Sequence, residues 1–218
     1  MAFVIDHMIV DPALQAAIIG RVLAQNFGDA PDQAAHDLGM IALPDGGSAK
    51  LFARHAADAV LLDDRDQVVL ITRRHNPGQG KLALPGGFLD DVDGVVEDGL
   101  TAALREAVEE TGISALLRTW STTYAAGPRR FDRGFDIRVA WNDIAGTAIK
   151  KGDFFTVSTQ GFGVHVPGDL AALPLKAGDD AAAVHVARIA DLREPMFAVP
   201  DHFSIIQDAL ACLPRSCR

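Results

Sequence analysis

The chain has 218 residues, 49% hydrophobic and 22% charged, enough to bury one sizeable core. Its formal net charge of −9 disfavours nucleic acid or an anionic membrane as the main partner, while leaving room for a small anionic substrate screened by cations. Its only cysteines, Cys212 and Cys217, make no disulfide framework, so a reduced, cytoplasmic compartment is expected. The amino terminus, MAFVIDHMIV, lacks a basic stretch and carries Asp6, so neither a signal peptide nor a membrane span is expected there.

Residues 12–27 read as a helix, with Pro12 near its start and Leu14, Ala17, Ile18 and Val22 on one face. A polar linker over 28–37 follows, then a hairpin of Met40–Leu43 and Lys50–Ala53 around Asp45-Gly46-Gly47. These residues form a small helix-hairpin extension, 1–52, ahead of a main domain, 53–218. Strands are expected at Val60–Leu62 and Val68–Thr72 around the turn Asp63-Asp64-Arg65-Asp66. Arg73 and Arg74 close the second strand. One of them contacting a phosphate weighs about equally with plain solvation.

The stretch Leu84–Ile113 carries the chemistry. On a helix at 100° per residue, Leu100, Leu104, Ala107, Val108 and Thr111 share one side, and Glu106, Glu109 and Glu110 share the other. Three clustered carboxylates repel by a few tenths of a kcal/mol (~0.2–0.5) per pair on an exposed helix, a cost that a bound divalent cation turns into ligation. Oxygen donors select Mg²⁺, Mn²⁺ or Ca²⁺ over zinc. Arg105 sits beside them, one turn from Glu109, and Gly112 stops the helix.

This stretch resembles the Nudix box: Gly, five residues, Glu, seven residues, Arg-Glu, apolar, any, Glu-Glu, any, Gly, apolar. Every element from Glu97 to Ile113 matches. Upstream, Pro85-Gly86-Gly87-Phe88 looks like the family's entry loop, but nine residues rather than five separate Gly87 from Glu97. The four extra residues bring Asp90, Asp91 and Asp93 together, either as a solvated acidic turn or as a further cation site. The resemblance implies an α/β fold, the Nudix α/β/α sandwich with a mixed sheet. It implies Mg²⁺ or Mn²⁺ held by Glu106, Glu109, Glu110 and the Gly87 carbonyl, with Glu97 orienting the loop and Arg105. Glu106, Arg105 and Glu97 are the implied catalytic set. Similar families use such amino-terminal sheets to build dimers, so the resemblance implies either a homodimer or, as the alternative, a simple lid packed on its own domain.

Beyond the box, Leu116–Tyr124 reads as a strand, and the loop Gly127–Phe135 leads into a strand Asp136–Trp141. Arg129, Arg130, Arg133 and Phe131 in that loop suit a diphosphate and a flat ring. Pro128, sixteen residues past Gly112, matches a proline associated with ADP-ribose-cleaving Nudix hydrolases. Residues 142–180 read as Gly- and Asp-rich with a long loop. Gly178-Asp179-Asp180-Ala181-Ala182 then opens a strand Val184–Ile189 and resembles the GDDA segment of the same group, which places Asp180 with the substrate. Ala183 and Val186 stand where that group commonly has an acidic residue and a tryptophan. His185 is expected to point into or along a sheet. Asp201-His202, again similar to the group, begins a final amphipathic helix with Asp201 as its N-cap.

The resemblance thus implies Mg²⁺-dependent hydrolysis of a nucleoside diphosphate linked to another moiety, with ADP-ribose giving AMP and ribose 5-phosphate as the leading case. NADH, nucleotide sugars and nucleoside triphosphates are the alternatives within enzymes. A non-catalytic ADP-ribose-binding sensor is the alternative outside them, although the 26 residues after Leu192 are too few for a winged helix. No glutamate lies between Glu110 and Glu194, so the general base is Glu106, an aspartate (Asp153, Asp169, Asp179 or Asp180), or metal-activated water alone.

Overall fold

The computed structural model describes residues 3–25, 31–113, 129–178 and 180–212. In chain order the elements begin with β1 (Val4–Ile5), β2 (Met8–Ile9), α1 (Pro12–Leu23), β3 (Ala35–Ala42), β4 (Ser48–Asp63) and β5 (Gln67–Arg73). Short strands β6 (Leu82–Ala83), β7 (Gly86–Phe88), β8 (Asp91–Val92) and β9 (Val95–Val96) lead into α2 (Gly99–Thr111). Then come β10 (Arg129–Val139), β11 (Phe154–Val166), β12 (Ala181–Arg188) and α3 (Asp201–Cys212). No helix among the described residues is long and apolar enough to cross a membrane.

The chain divides into two compact units: residues 1–56, 88–98 and 134–159 form the first, and 57–87, 99–133 and 160–218 the second. In the first, Asp11 caps α1 by accepting the Leu14 N–H at 2.8 Å, and Pro12 occupies a position that needs no donor. The helix lays Leu14, Ile18 and Val22 against Phe3, Ile9, Leu38, Leu51 and Phe154. Each such side chain contributes about 1.5–3 kcal/mol on burial. The β3–β4 hairpin closes at Asp45-Gly46-Gly47, where Gly46 takes φ +85° and Leu43 N–H donates to the Gly47 carbonyl at 2.9 Å.

The four extra residues of the box loop form a second hairpin, β8–β9. Its turn, Asp93-Gly94, has both φ values positive, as a two-residue hairpin turn demands, and Asp91 Oδ1 accepts the Gly94 N–H at 2.8 Å. At its stem Glu97 N–H donates to the Asp90 carbonyl at 2.9 Å. Backbone pairing, not a loose turn, absorbs the insertion.

In the second unit β5 pairs antiparallel with β4, β6 and β12. Val68 and Leu70, alternate residues of β5, pack with Val60, Leu62, Leu84, Phe197 and the α3 residues Ile205 and Ile206. Asp63, fully buried, organises the β4–β5 turn by accepting from Arg65 and Gln67 N–H at 2.9 Å each and from Leu170 N–H at 3.0 Å. Along β4 and β11 the contacts His55 to Ser158 and Asp64 to His165 advance together, so these strands run parallel. With the antiparallel pairs this makes a mixed sheet, and the fold is α/β.

Several expectations need correction. The hairpin strand and the Val60–Leu62 strand are one continuous β4 of 16 residues, buried throughout from Leu51, as a strand covered on both faces is. Arg129, Arg130, Phe131 and Arg133 lie on strand β10, not in a loop, and that strand ends at Val139 rather than Trp141. The stretch read as a long loop contains the 13-residue strand β11. Helix α2 begins at Gly99, after Glu97, and buries Ala102, Ala103, Ala107, Glu110 and Thr111, with Leu100, Leu104 and Val108 only half-buried. Asp201 is the first residue of α3 rather than the residue before it. The expected strand Leu116–Tyr124 lies outside the described residues.

Candidate active site

The three glutamates of α2 experience three different environments. Glu109 is the most open, with 58% of its side chain exposed, Glu106 keeps 16%, and Glu110 is buried at 6%. Arg105 Nη1 donates to Glu106 Oε1 at 2.8 Å and to Glu109 Oε2 at 3.4 Å, so one guanidinium holds both carboxylates. Glu110 Oε2 accepts the Gly86 N–H at 3.0 Å.

Burial pushes the Glu110 carboxyl up to about 8; the Gly86 bond opposes this, the charges of Glu106 and Asp180 add to it, and Arg73 offsets it. Arg73 and Asp180, from the ends of β5 and the approach to β12, therefore lie within the electrostatic reach of the box helix.

The loop above α2 needs its glycines. A Cβ on Gly87 would stand 2.0 Å from Glu106 Oε1, and one on Gly86 would stand 2.2 Å from Asp58 Oδ1 and 2.6 Å from the Ala57 carbonyl. Pro85 is tied by its carbonyl, which accepts the Ala59 N–H at 2.8 Å. The C-terminal end of α2 is fastened as well: the carbonyls of Glu110 and Thr111 accept from Gly178 and Lys176 N–H at 3.1 and 2.9 Å, satisfying groups a helix end leaves open.

Arg73 Nε donates to the Pro77 carbonyl at 2.8 Å. Arg74 Nη2 donates to the Ala181 carbonyl at 2.8 Å, stapling the start of β12. Glu97 Oε2 accepts the Asp90 N–H at 3.4 Å, on the stem of the inserted hairpin. Pro128 and Asp179 lie outside the described residues, as do the side chains of Arg129, Arg130, Phe131 and Arg133. Of the aspartates weighed as bases, Asp153 accepts the Lys150 N–H at 2.8 Å, and Asp169 pairs with Arg65 and accepts the Ala171 N–H at 3.0 Å.

The donor set suits a hard dication: three carboxylates and a carbonyl, all oxygen, over a glycine that leaves no room for a side chain. As they stand, no three Asp, Glu, His or Cys side chains among the described residues converge on one point. The reason is local. Arg105 draws Glu106 and Glu109 to itself, while Gly86 occupies Glu110.

Two further residues bear on this loop, and sequence reasoning did not single them out for it. Leu84 N–H donates to His202 Nδ1 at 3.0 Å, and His202 Nε2 faces Asp58 Oδ2 at 3.7 Å. The available signals were an aspartate inside an apolar strand and a histidine at the head of the last helix.

A family model, the NUDIX domain, matches residues 53–198. The chain belongs to the NUDIX family. Among its NUDIX relatives is an ADP-ribose pyrophosphatase of Methanocaldococcus jannaschii, 35% identical over 102 residues. That match covers 45% of this chain and only 57% of the relative's length. The chain is also similar to the solved NUDIX domain of Shewanella oneidensis NrtR complexed with ADP ribose, at 20% identity and a TM-score of 0.47 over 79% of this chain and 94% of that one. A bifunctional NMN adenylyltransferase/ADP ribose pyrophosphatase from Francisella tularensis, complexed with AMP and a Mn ion, is 20% identical with a TM-score of 0.45 over 91% of this chain and 47% of that one.

Proposed function

We propose that the chain is a Mg²⁺- or Mn²⁺-dependent hydrolase that cleaves ADP-ribose to AMP and ribose 5-phosphate. The observation that carries the reading is the assembly of Glu106, Glu109, Glu110 and Arg105 on one helix beneath the Gly86-Gly87 loop. Glu109, Glu110, Glu106 and the Gly87 carbonyl would hold the dication. When bound, such an ion neutralises phosphate charge and acidifies a coordinated water.

The protein's own residues do the rest. Arg105 sets the orientation of two carboxylates before substrate arrives. Arg73, with Arg129, Arg130 and Arg133 on β10, supplies positive charge for a diphosphate, and Phe131 a face for a flat ring. Glu106 accepts the proton of the attacking water, with Asp180 as the second candidate. The choice of ADP-ribose rests on the named activity of the archaeal relative, on Pro128 and on the Gly178-Asp179-Asp180 segment. We also read the protein as cytoplasmic and homodimeric; sedimentation would show a species of twice the 23.2 kDa chain mass.

Product chromatography on ADP-ribose, NADH, nucleotide sugars and nucleoside triphosphates, each with Mg²⁺ and Mn²⁺, tests the assignment. ADP-ribose should yield AMP and ribose 5-phosphate with the highest kcat/KM. Faster turnover of another substrate would replace ADP-ribose, and binding of ADP-ribose without turnover in either metal would favour the sensor reading.

A further inference from the structure

We propose that His202, at the head of the last helix, is a positioning residue for the metal loop, acting with Asp58 through the backbone of Leu84–Gly87. The inference rests on the metal-site reading above and adds to it a residue from 92 positions beyond Glu110.

Both groups are buried, His202 at 7% and Asp58 at 5% exposure. Because Nδ1 accepts the Leu84 N–H, the ring's proton sits on Nε2, the nitrogen that faces Asp58. Asp58 in turn abuts Gly86, where its Oδ1 fills the place a Cβ would take. The imidazole thus spans from the loop's first residue to the strand beneath its third. An apolar side chain of the same volume would leave the Leu84 N–H buried without an acceptor.

The rest of the surroundings make the anchor rigid. Ala198 N–H donates to the Leu82 carbonyl at 2.8 Å, and Phe197 bridges Leu82, so the segment leading into α3 is already paired with β6. Ile205 and Ile206, one turn past His202, are fully buried with Leu84 and Phe197 in one cluster. A histidine here does not swing.

Three successive residues of the loop are each tied: Leu84 by His202, Pro85 by Ala59, and Gly86 by Glu110. The last tie competes with metal binding, since a Glu110 carboxylate committed to a cation has less to give the Gly86 N–H. The loop then keeps its register through His202 and Ala59, and with it the close approach of Gly87 to Glu106. His202 therefore matters most in the metal-loaded state, as partners one shell out from a metal do.

The test compares His202→Leu, which removes the acceptor, with His202→Asn, whose side-chain oxygen can replace Nδ1. Glu110→Gln is the control. Mn²⁺ affinity is read by electron paramagnetic resonance of free Mn²⁺, and folding by thermal melting in chelator. His202→Leu should weaken Mn²⁺ binding about tenfold or more, on the scale of second-layer metal partners, and lower kcat more than it raises KM. His202→Asn should recover the affinity to within about threefold of wild type, well inside that loss. A folded His202→Leu that binds Mn²⁺ like wild type, while Glu110→Gln does not, overturns the positioning role alone. Unchanged affinity in Glu110→Gln overturns the metal reading and this inference together. If His202→Leu does not fold, ¹⁵N imidazole resonances of the wild-type protein decide. An Nε2-protonated ring whose Nδ1 signal keeps its hydrogen-bonded position on Mg²⁺ saturation supports the role, and an Nδ1 signal that shows the Leu84 bond lost in the metal-loaded protein overturns it.

Discussion

Replacing Glu110 by Gln should make the metal-free protein more stable, and increasingly so as pH rises. Gln matches Glu in volume and can still accept the Gly86 N–H, so the substitution removes charge and little else. The Glu110 carboxyl is pushed from its ordinary 4.5 up to about 8, chiefly by burial. A carboxyl raised in the folded state contributes stability that is fully present below 4.5 and is lost as pH climbs towards 8, because the unfolded chain ionises first. At ~1.4 kcal/mol per pH unit, the loss reaches about 3 kcal/mol at pH 7 and nearly 5 at pH 9. For a chain of this size each kcal/mol moves Tm by about 2–4 °C.

The assay is thermal or urea unfolding of wild type and Glu110→Gln in chelator from pH 4.5 to 9. The two curves should meet at the acid end and separate steadily above pH 5. Adding Mg²⁺ should narrow the gap at pH 8: a ligand at a hundred times its Kd stabilises wild type by about 2.7 kcal/mol, and Glu110→Gln should gain far less. A Glu110→Gln protein no more stable than wild type at pH 9 in chelator would refute the reasoning, because the burial cost would not be there to relieve.

The choice of base is tested by kcat at saturating substrate and Mg²⁺. Glu106→Gln should lose about 10²–10⁴-fold and Asp180→Asn under ~10-fold, and the reverse order would move the role to Asp180. Gly87→Ala places a methyl where Glu106 Oε1 now lies, 2.0 Å from the new carbon. It should lower kcat/KM at least ~10-fold by displacing a carboxylate whose placement is exacting; a wild-type rate from a folded Gly87→Ala would show that Glu106 has another usable position.

The box helix was legible because its information is local. Three carboxylates at i, i+3 and i+4, a neighbouring arginine and a stopping glycine lie within one short stretch, and α2 runs Gly99–Thr111 as that stretch demands. Strands β5 and β12 were legible for the same reason. The burial of Glu110 was not. A helical wheel puts it with Glu106 and Glu109, and tertiary neighbours, the Gly86-Gly87 loop and the Gly178 segment among them, remove it from water. The small side chains Ala102, Ala103 and Ala107 are the ones packed inward.

Strand β4 hid its length because Arg54, His55 and Asp58 interrupt an apolar run, yet all three are buried. Strand β11 hid behind Gly161 and Gly163, which have poor strand propensity, and the polar Ser158 and Gln160 beside them. Gly161 is there because Ile205 approaches so closely that a Cβ would meet its methyl at 2.4 Å, and that kind of tertiary demand overrides propensity. The Leu84–His202 bond joins residues 118 positions apart, a separation across which no periodicity speaks.

The β8–β9 hairpin has a use of its own. Its stem residues, Asp90 and Glu97, are joined backbone to backbone, and its two-residue turn closes on itself. Whatever is threaded between the stem residues leaves their spacing unchanged, provided it returns as a paired ribbon. Strands can be lengthened there two residues at a time, one from each side, without altering which side chains face which way. The segment is thus a natural port for engineering, where an epitope, a fluorophore-binding tag or a capture peptide can be spliced into the middle of the family's defining motif.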